Sequence, residues 1–139
     1  MCISGDDYLN IVSENTYDDD TLDIAVSNML FDSILLLKRG INVVLDFVFC
    51  RESEAILLEK MLKTFNFTYA LLDYDARTVL ERDSLRSIED RMGERCSQVI
   101  EDIHKSLEYF SNFPSFMHIH DASLNVKEIA QIIIQKISE

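Results

Sequence analysis

The sequence predicts an α/β domain of three layers, with a parallel sheet of about four strands between helices. Three observations carry that prediction. The stretch Ile41-Asn42-Val43-Val44-Leu45-Asp46-Phe47-Val48-Phe49 is an almost unbroken apolar and β-branched run between Gly40 and Arg51-Glu52. A run of that length reads as a strand buried on both faces, the habit of parallel sheets covered by helices. Segments of helical period alternate with extended ones along the chain, and such alternation implies right-handed crossovers into one parallel sheet. Finally, 139 residues with no internal repeat and no dividing linker amount to one domain over 1–139, large enough to bury a core.

Composition narrows the function classes. Hydrophobic residues make up 47% and charged ones 27%, with three Gly and one Pro, which excludes collagen-like and low-complexity chains. Thirteen Lys and Arg against twenty-five Asp and Glu leave a net charge of −12. Such a chain is repelled by nucleic-acid phosphates and by anionic membrane, so neither is an expected partner, while a small anion needs only one local basic pocket. Cys2, Cys50 and Cys96 are odd in number and lack C-x-x-C spacing, which suits a reducing compartment. Without a signal peptide or a run of 18 apolar residues, the expected location is the cytoplasm.

The elements follow in order. Met1 to Ser4 is a short strand entering Gly5-Asp6-Asp7, and residues 5–20 read as a polar loop. Asp18-Asp19-Asp20-Thr21 is a helix start, with acids near the positive end of the dipole. Leu22, Ala25, Val26, Met29, Leu30, Ser33, Leu36 and Leu37 then keep helical spacing to Arg39, and Gly40 suits the position just past the helix end. After the Ile41 strand, Ser53 is the expected cap of a helix through about Phe65. Phe67 to Leu72 is the next strand, and Asp75 the cap of a helix continuing through charged residues to Met92-Gly93. A further helix is expected over Glu94 to Phe110, a short strand over Phe116 to Ile119, and a terminal helix opened by Asp121 or Ser123, with Val126, Ile129, Ala130, Ile133 and Ile137 inward.

Within this frame a few residues carry chemistry. Asp46 is a carboxylate near the carboxyl end of the central strand, where open α/β sheets bind ligands, or else a cap for the following helix. Asp6 and Asp7 are a catalytic pair or turn residues after Gly5. Arg82, Arg86, Arg91 and Arg95 put four of thirteen cations within fourteen residues. They form either an anion site, which needs a bend between Ser87 and Gly93, or an ion-paired surface with Glu81, Asp83, Glu89, Asp90 and Glu94. His118 and His120 share a strand face beside Asp121 but lack a fourth ligand, so a polar rim is preferred there and no metal site is assigned. Cys50 reads as a small buried hydrophobe.

Gly40 to Asp46, followed by Leu80-Glu81-Arg82-Asp83-Ser84-Leu85-Arg86 and Arg91-Met92-Gly93-Glu94-Arg95-Cys96, resembles the later two-thirds of a small P-loop kinase. The group meant includes chloramphenicol phosphotransferase-like and shikimate-kinase-like proteins and related AAA-type ATPase-like domains. The resemblance implies ATP and Mg2+ as cofactors and phosphoryl transfer to a small hydroxylated acceptor. It implies Asp6 as the base toward that acceptor and Asp46 as a second catalytic acid near magnesium. Arg82, Arg86 and Arg91 become phosphate clamps of a lid at about 82–95, and Asp121 and Ser123 fall in the turn that holds the nucleotide base.

The phosphate loop G-x-x-x-x-G-K-[ST] of such kinases is absent, since no Gly-Lys pair occurs. Without its amides and Lys, phosphate binding loses its largest stabiliser. The expectation is therefore a kinase-like nucleotide-binding domain with activity absent or much reduced, in which the Ile41 and Phe67 strands close on each other or a partner chain fills the place of the missing strand, a homodimer being preferred. The alternative expectation is a non-catalytic interaction or dimerisation domain that keeps only the scaffold.

Overall fold

A computed structural model describes residues 1–12 and 18–138. The chain divides into two compact units, Met1–Asn66 and a second beginning at Phe67. In the first, β1 (Cys2–Ser4) runs directly into α1 (Gly5–Val12), and α2 (Asp19–Leu37), β2 (Val44–Asp46) and α3 (Glu52–Leu62) follow. In the second, β3 (Tyr69–Leu72), α4 (Ala76–Ser84), α5 (Cys96–Phe110), β4 (Phe116–Ile119) and α6 (Val126–Ser138) follow, with single 3-10 turns at Ile88–Asp90 and Gly93–Arg95.

Each unit holds one two-stranded parallel sheet, β1 with β2 and β3 with β4. This overturns the three-layer architecture: 61% of the described residues are helical, and among them no parallel sheet of about four strands forms. The physical reason lies in the central run. Only Val44–Asp46 joins a ladder, and it has one neighbouring strand. A strand with a single neighbour and three ladder residues is not a sheet interior. Val44 is accordingly 62% exposed and Val48 42%, so burial on both faces, the premise of the strand reading, does not hold.

Local chemistry explains the helices better than the sheet. Asp18 accepts from the Thr21 amide at 2.9 Å and opens α2. The buried residues of α2 are Thr21, Ala25, Val26, Met29, Leu30 and Ser33, one face at helical period. At its end the Ile41 amide donates to the Leu36 carbonyl and the Gly40 amide to Leu37. Gly40 takes φ +75° there, the left-handed backbone that closes a Schellman-type cap.

Residues 5–12 are helix and not the expected loop; residues 13–17 of that expectation lie outside the described residues. Asp6 and Asp7 occupy the first turn, where the dipole favours acids, and Leu9 is buried. Gly5 opens this helix because a Cβ there would fall inside the Phe47 ring.

In α3 the expected cap Ser53 is displaced by Arg51. The buried Glu54 carboxylate accepts from the Cys50 and Arg51 amides at 2.8 and 3.0 Å, which satisfies amides otherwise left open at the helix start.

In the second unit the expected long helix ends at Ser84. Asp83 turns the chain, because its carboxylate accepts the Met92 and Gly93 amides at 2.8 and 3.1 Å. The following helix starts at Cys96, not Glu94. Tyr69 stacks on Phe110 with ring centres 4.4 Å apart, and Phe110 tilts against Phe113 at 5.0 Å. Phe110 is fully buried, so this aromatic cluster ties α5 to the β3–β4 sheet.

The terminal helix departs most from expectation. Asn125, not Asp121 or Ser123, caps it, accepting from the Lys127 and Glu128 amides while Glu128 accepts from the Asn125 amide. None of its residues is buried. Among the described residues no helix is long and apolar enough to cross a membrane.

Candidate functional site

Parallel strands bring their carboxyl ends to one edge, so each small sheet has one rim where loop side chains meet. In the first unit the register pairs Ser4 with Asp46. Asp46 and Asp6 therefore both lie toward the β1–β2 rim. Both are exposed, and Asp6 stands in the first turn of α1.

A cleft among the described residues of this unit lies elsewhere. It has a volume of about 310 Å³ and is lined by Met1, Ile3, Tyr8, Asp32, Leu35, Leu36 and Arg39, and neither Asp6 nor Asp46 reaches it. Inside it the Tyr8 hydroxyl donates to Asp32 at 2.7 Å. That bond to a carboxylate, with burial and the Asp32 charge adding to it, pushes the Tyr8 phenol up to about 12.

The β3–β4 rim is denser. Asp73 follows β3, and its amide continues the ladder by donating to the Ile119 carbonyl at 2.9 Å. Its carboxylate lies 2.8 Å from His118 Nε2. Next to it, the Arg82 guanidinium sits 4.2 Å over the Tyr74 ring. Arg82 Nη2 also donates to the Ala122 carbonyl at 3.0 Å. In the same turn Asp121 accepts from the Ser123 hydroxyl at 2.6 Å and amide at 2.9 Å. The hydroxyl bond first, then the amide, holds Asp121 below the usual carboxylate range.

Arg82 reaches the turn that contains Asp121 and Ser123 through the Ala122 carbonyl. The other arginines do not join them there. Arg91 donates from Nε to the Arg86 carbonyl at 3.2 Å and from Nη2 to the Ser84 carbonyl at 2.8 Å, tying down the end of α4. Arg86 approaches Asp83 at 3.9 Å. The bend between Ser87 and Gly93 is present, yet it turns the guanidinium of Arg91 onto backbone carbonyls.

Sequence reasoning passed over Asp73 and Tyr74. Their signal was available, since Asp73 ends β3 much as Asp46 ends β2. The Tyr74 hydroxyl is buried with no hydrogen-bond partner, a cost accepted next to the Arg82 stack.

No protein-family model, no curated protein and no solved structure matches the chain.

Proposed function

We propose that this chain is a non-catalytic interaction module of the cytoplasm that self-associates through α6. The observation that supports the reading is the apolar stripe of that helix. Val126, Ala130, Ile134 and Ile137 fall within one quadrant at 100° per residue. Val126 is 84%, Ile134 63% and Ile137 64% exposed, and α6 has no buried residue. An isolated helix of thirteen residues is marginal in water, so a face of this kind calls for cover.

A second copy suits it on charge. The chain carries −12, but the described charges of α6 are Lys127, Glu128 and Lys136, so two such helices meet without the acidity of the rest. A stripe paired with itself across a two-fold axis is self-complementary. Each large side chain fully covered contributes about 1.5–3 kcal/mol. Six of them, three from each copy, match the association cost of roughly 4–15 kcal/mol. Three free cysteines suit a reducing cytoplasm.

Sedimentation velocity of the whole chain tests this. The expected result is a dimer at high micromolar concentration that Ile134→Lys converts to a monomer, with an unchanged circular dichroism spectrum because Ile134 supports no core. A monomer up to millimolar concentration overturns the reading, as does a dimer indifferent to Ile134→Lys.

ATP–Mg2+ binding, with transfer to a hydroxylated acceptor absent or much reduced, has in its favour only the nearness of Arg82 to the Asp121–Ser123 turn, and Arg82 would have to exchange the Ala122 carbonyl for a phosphate. A thermal shift with ATP and magnesium that Arg82→Ala removes would support it. No shift at millimolar ATP would leave the interaction reading.

A further inference from the structure

His118 and His120 flank the buried Ile119 at the end of β4, and both are exposed. Positions two apart on a strand share a face. Their ring centres are 5.2 Å apart, with the planes at 52°. Two imidazoles binding one ion at the usual nitrogen–metal distance of ~2.0–2.1 Å have ring centres about 5 Å apart at a tetrahedral angle. The observed spacing already matches.

A second observation comes from the neighbouring strand. Asp73 Oδ2 lies 2.8 Å from His118 Nε2, and Asp73 is itself pinned by the ladder bond to Ile119. An ionised carboxylate only accepts, so Nε2 carries the hydrogen, and in the neutral ring Nδ1 is the nitrogen that keeps a lone pair. A carboxylate behind an imidazole, fixing tautomer and ring orientation, is the supporting arrangement of metal-ligating histidines.

We propose that His118 and His120 form a two-imidazole site for a divalent transition ion of the nickel, copper and zinc class, with Asp73 as its positioning residue. Among the described residues no group of three His, Cys, Asp or Glu side chains is placed to hold an ion. Asp121 is taken by Ser123. Water therefore fills the remaining positions, and the ion exchanges readily in comparison with a closed four-ligand structural site. Imidazole donors suit these ions and disfavour magnesium and calcium.

The test is a Ni2+ titration of the whole chain followed through the histidine ring resonances. The sequence has three histidines, and His104, exposed on α5, is the internal control. The His118 and His120 signals broaden first while that of His104 persists. His120→Ala, a change at an exposed side chain, removes the early broadening at His118. Asp73→Ala, with packing checked by near-ultraviolet circular dichroism, weakens Ni2+ binding by about 10–100-fold although both imidazoles remain. The proposal is overturned if His104 broadens in step with the other two. It is equally overturned if His120→Ala binds as tightly, or if Asp73→Ala, still folded, leaves the affinity unchanged.

Discussion

Arg51 holds the buried Glu54 carboxylate from two nitrogens, with Nε at 2.9 Å and Nη2 at 2.8 Å from Oε1. Glu54 is 2% exposed. The same guanidinium reaches back to the start of α2, to Asp23 at 2.9 Å and to the Asp19 carbonyl at 3.3 Å. One side chain thus fastens the amino ends of α2 and α3. Burial works against the Arg51 charge, but the bond and charge of Glu54, with Asp23 and Asp19, outweigh it and raise its pKa.

Removing Arg51 leaves the buried Glu54 carboxylate without its charged partner. Arg51→Met therefore destabilises the first unit by about 3–5 kcal/mol. Urea denaturation of the full chain measures the loss. A double change of Arg51→Met with Glu54→Leu recovers part of it, because two apolar groups carry no unpaired charge.

Gly5→Ala is expected to cost about 1–3 kcal/mol, as an overpacked site does. Its Cβ would meet the Phe47 ring and the Phe47 Cβ as well, so rotation of the ring does not clear the clash. Adding Phe47→Ala to Gly5→Ala removes the two ring contacts and leaves only the Cβ of residue 47, 2.9 Å away. The coupling energy of that cycle, read from denaturation midpoints, should be clearly non-zero.

Acid unfolding should report on Asp83. The Met92 amide bond chiefly, opposed by burial and aided by the Gly93 amide and the Cys96 thiol, holds its carboxyl below the usual range. A depressed folded pKa gives stability that is complete above the unfolded value of about 3.9 and is lost as pH falls through the folded one. Asp83→Asn should therefore flatten the acid limb of the stability–pH curve below about pH 4.

Tyr8 sets the opposite limb. Its folded pKa of about 12 exceeds the ordinary value near 10, so its contribution is complete below about pH 10 and is lost as pH rises through the folded value. Absorbance titration at alkaline pH should show a tyrosine ionising near pH 12. Tyr8→Phe or Asp32→Asn should abolish that step and remove the alkaline loss of stability.

Much of the helical part of this protein is written locally. Asp18 before a periodic apolar face, Gly40 past its end and Asp75 ahead of Thr78 each act within a few residues. Each took the expected place, with Asp75 accepting from the Thr78 amide at 3.0 Å and hydroxyl at 2.7 Å. Parallel pairing of the β1–β2 and β3–β4 segments likewise follows from the helices between them. Helix α1 was legible too, in the acids of its first turn and the placement of Leu9, but its polar start masked it.

What the sequence by itself determined is therefore the approximate place of α2, α3, α5 and α6 and of the four short strands. Only the tertiary structure decided that the Ile41 run finds one neighbour, that Arg91 turns onto carbonyls while Arg82 reaches Ala122, and that Asp73 stands behind His118. The reason is physical. Caps and periodicity act over a single turn, whereas the acceptor of Arg82 and the carboxylate behind His118 lie forty or more residues away in sequence and are chosen by packing that no local pattern encodes.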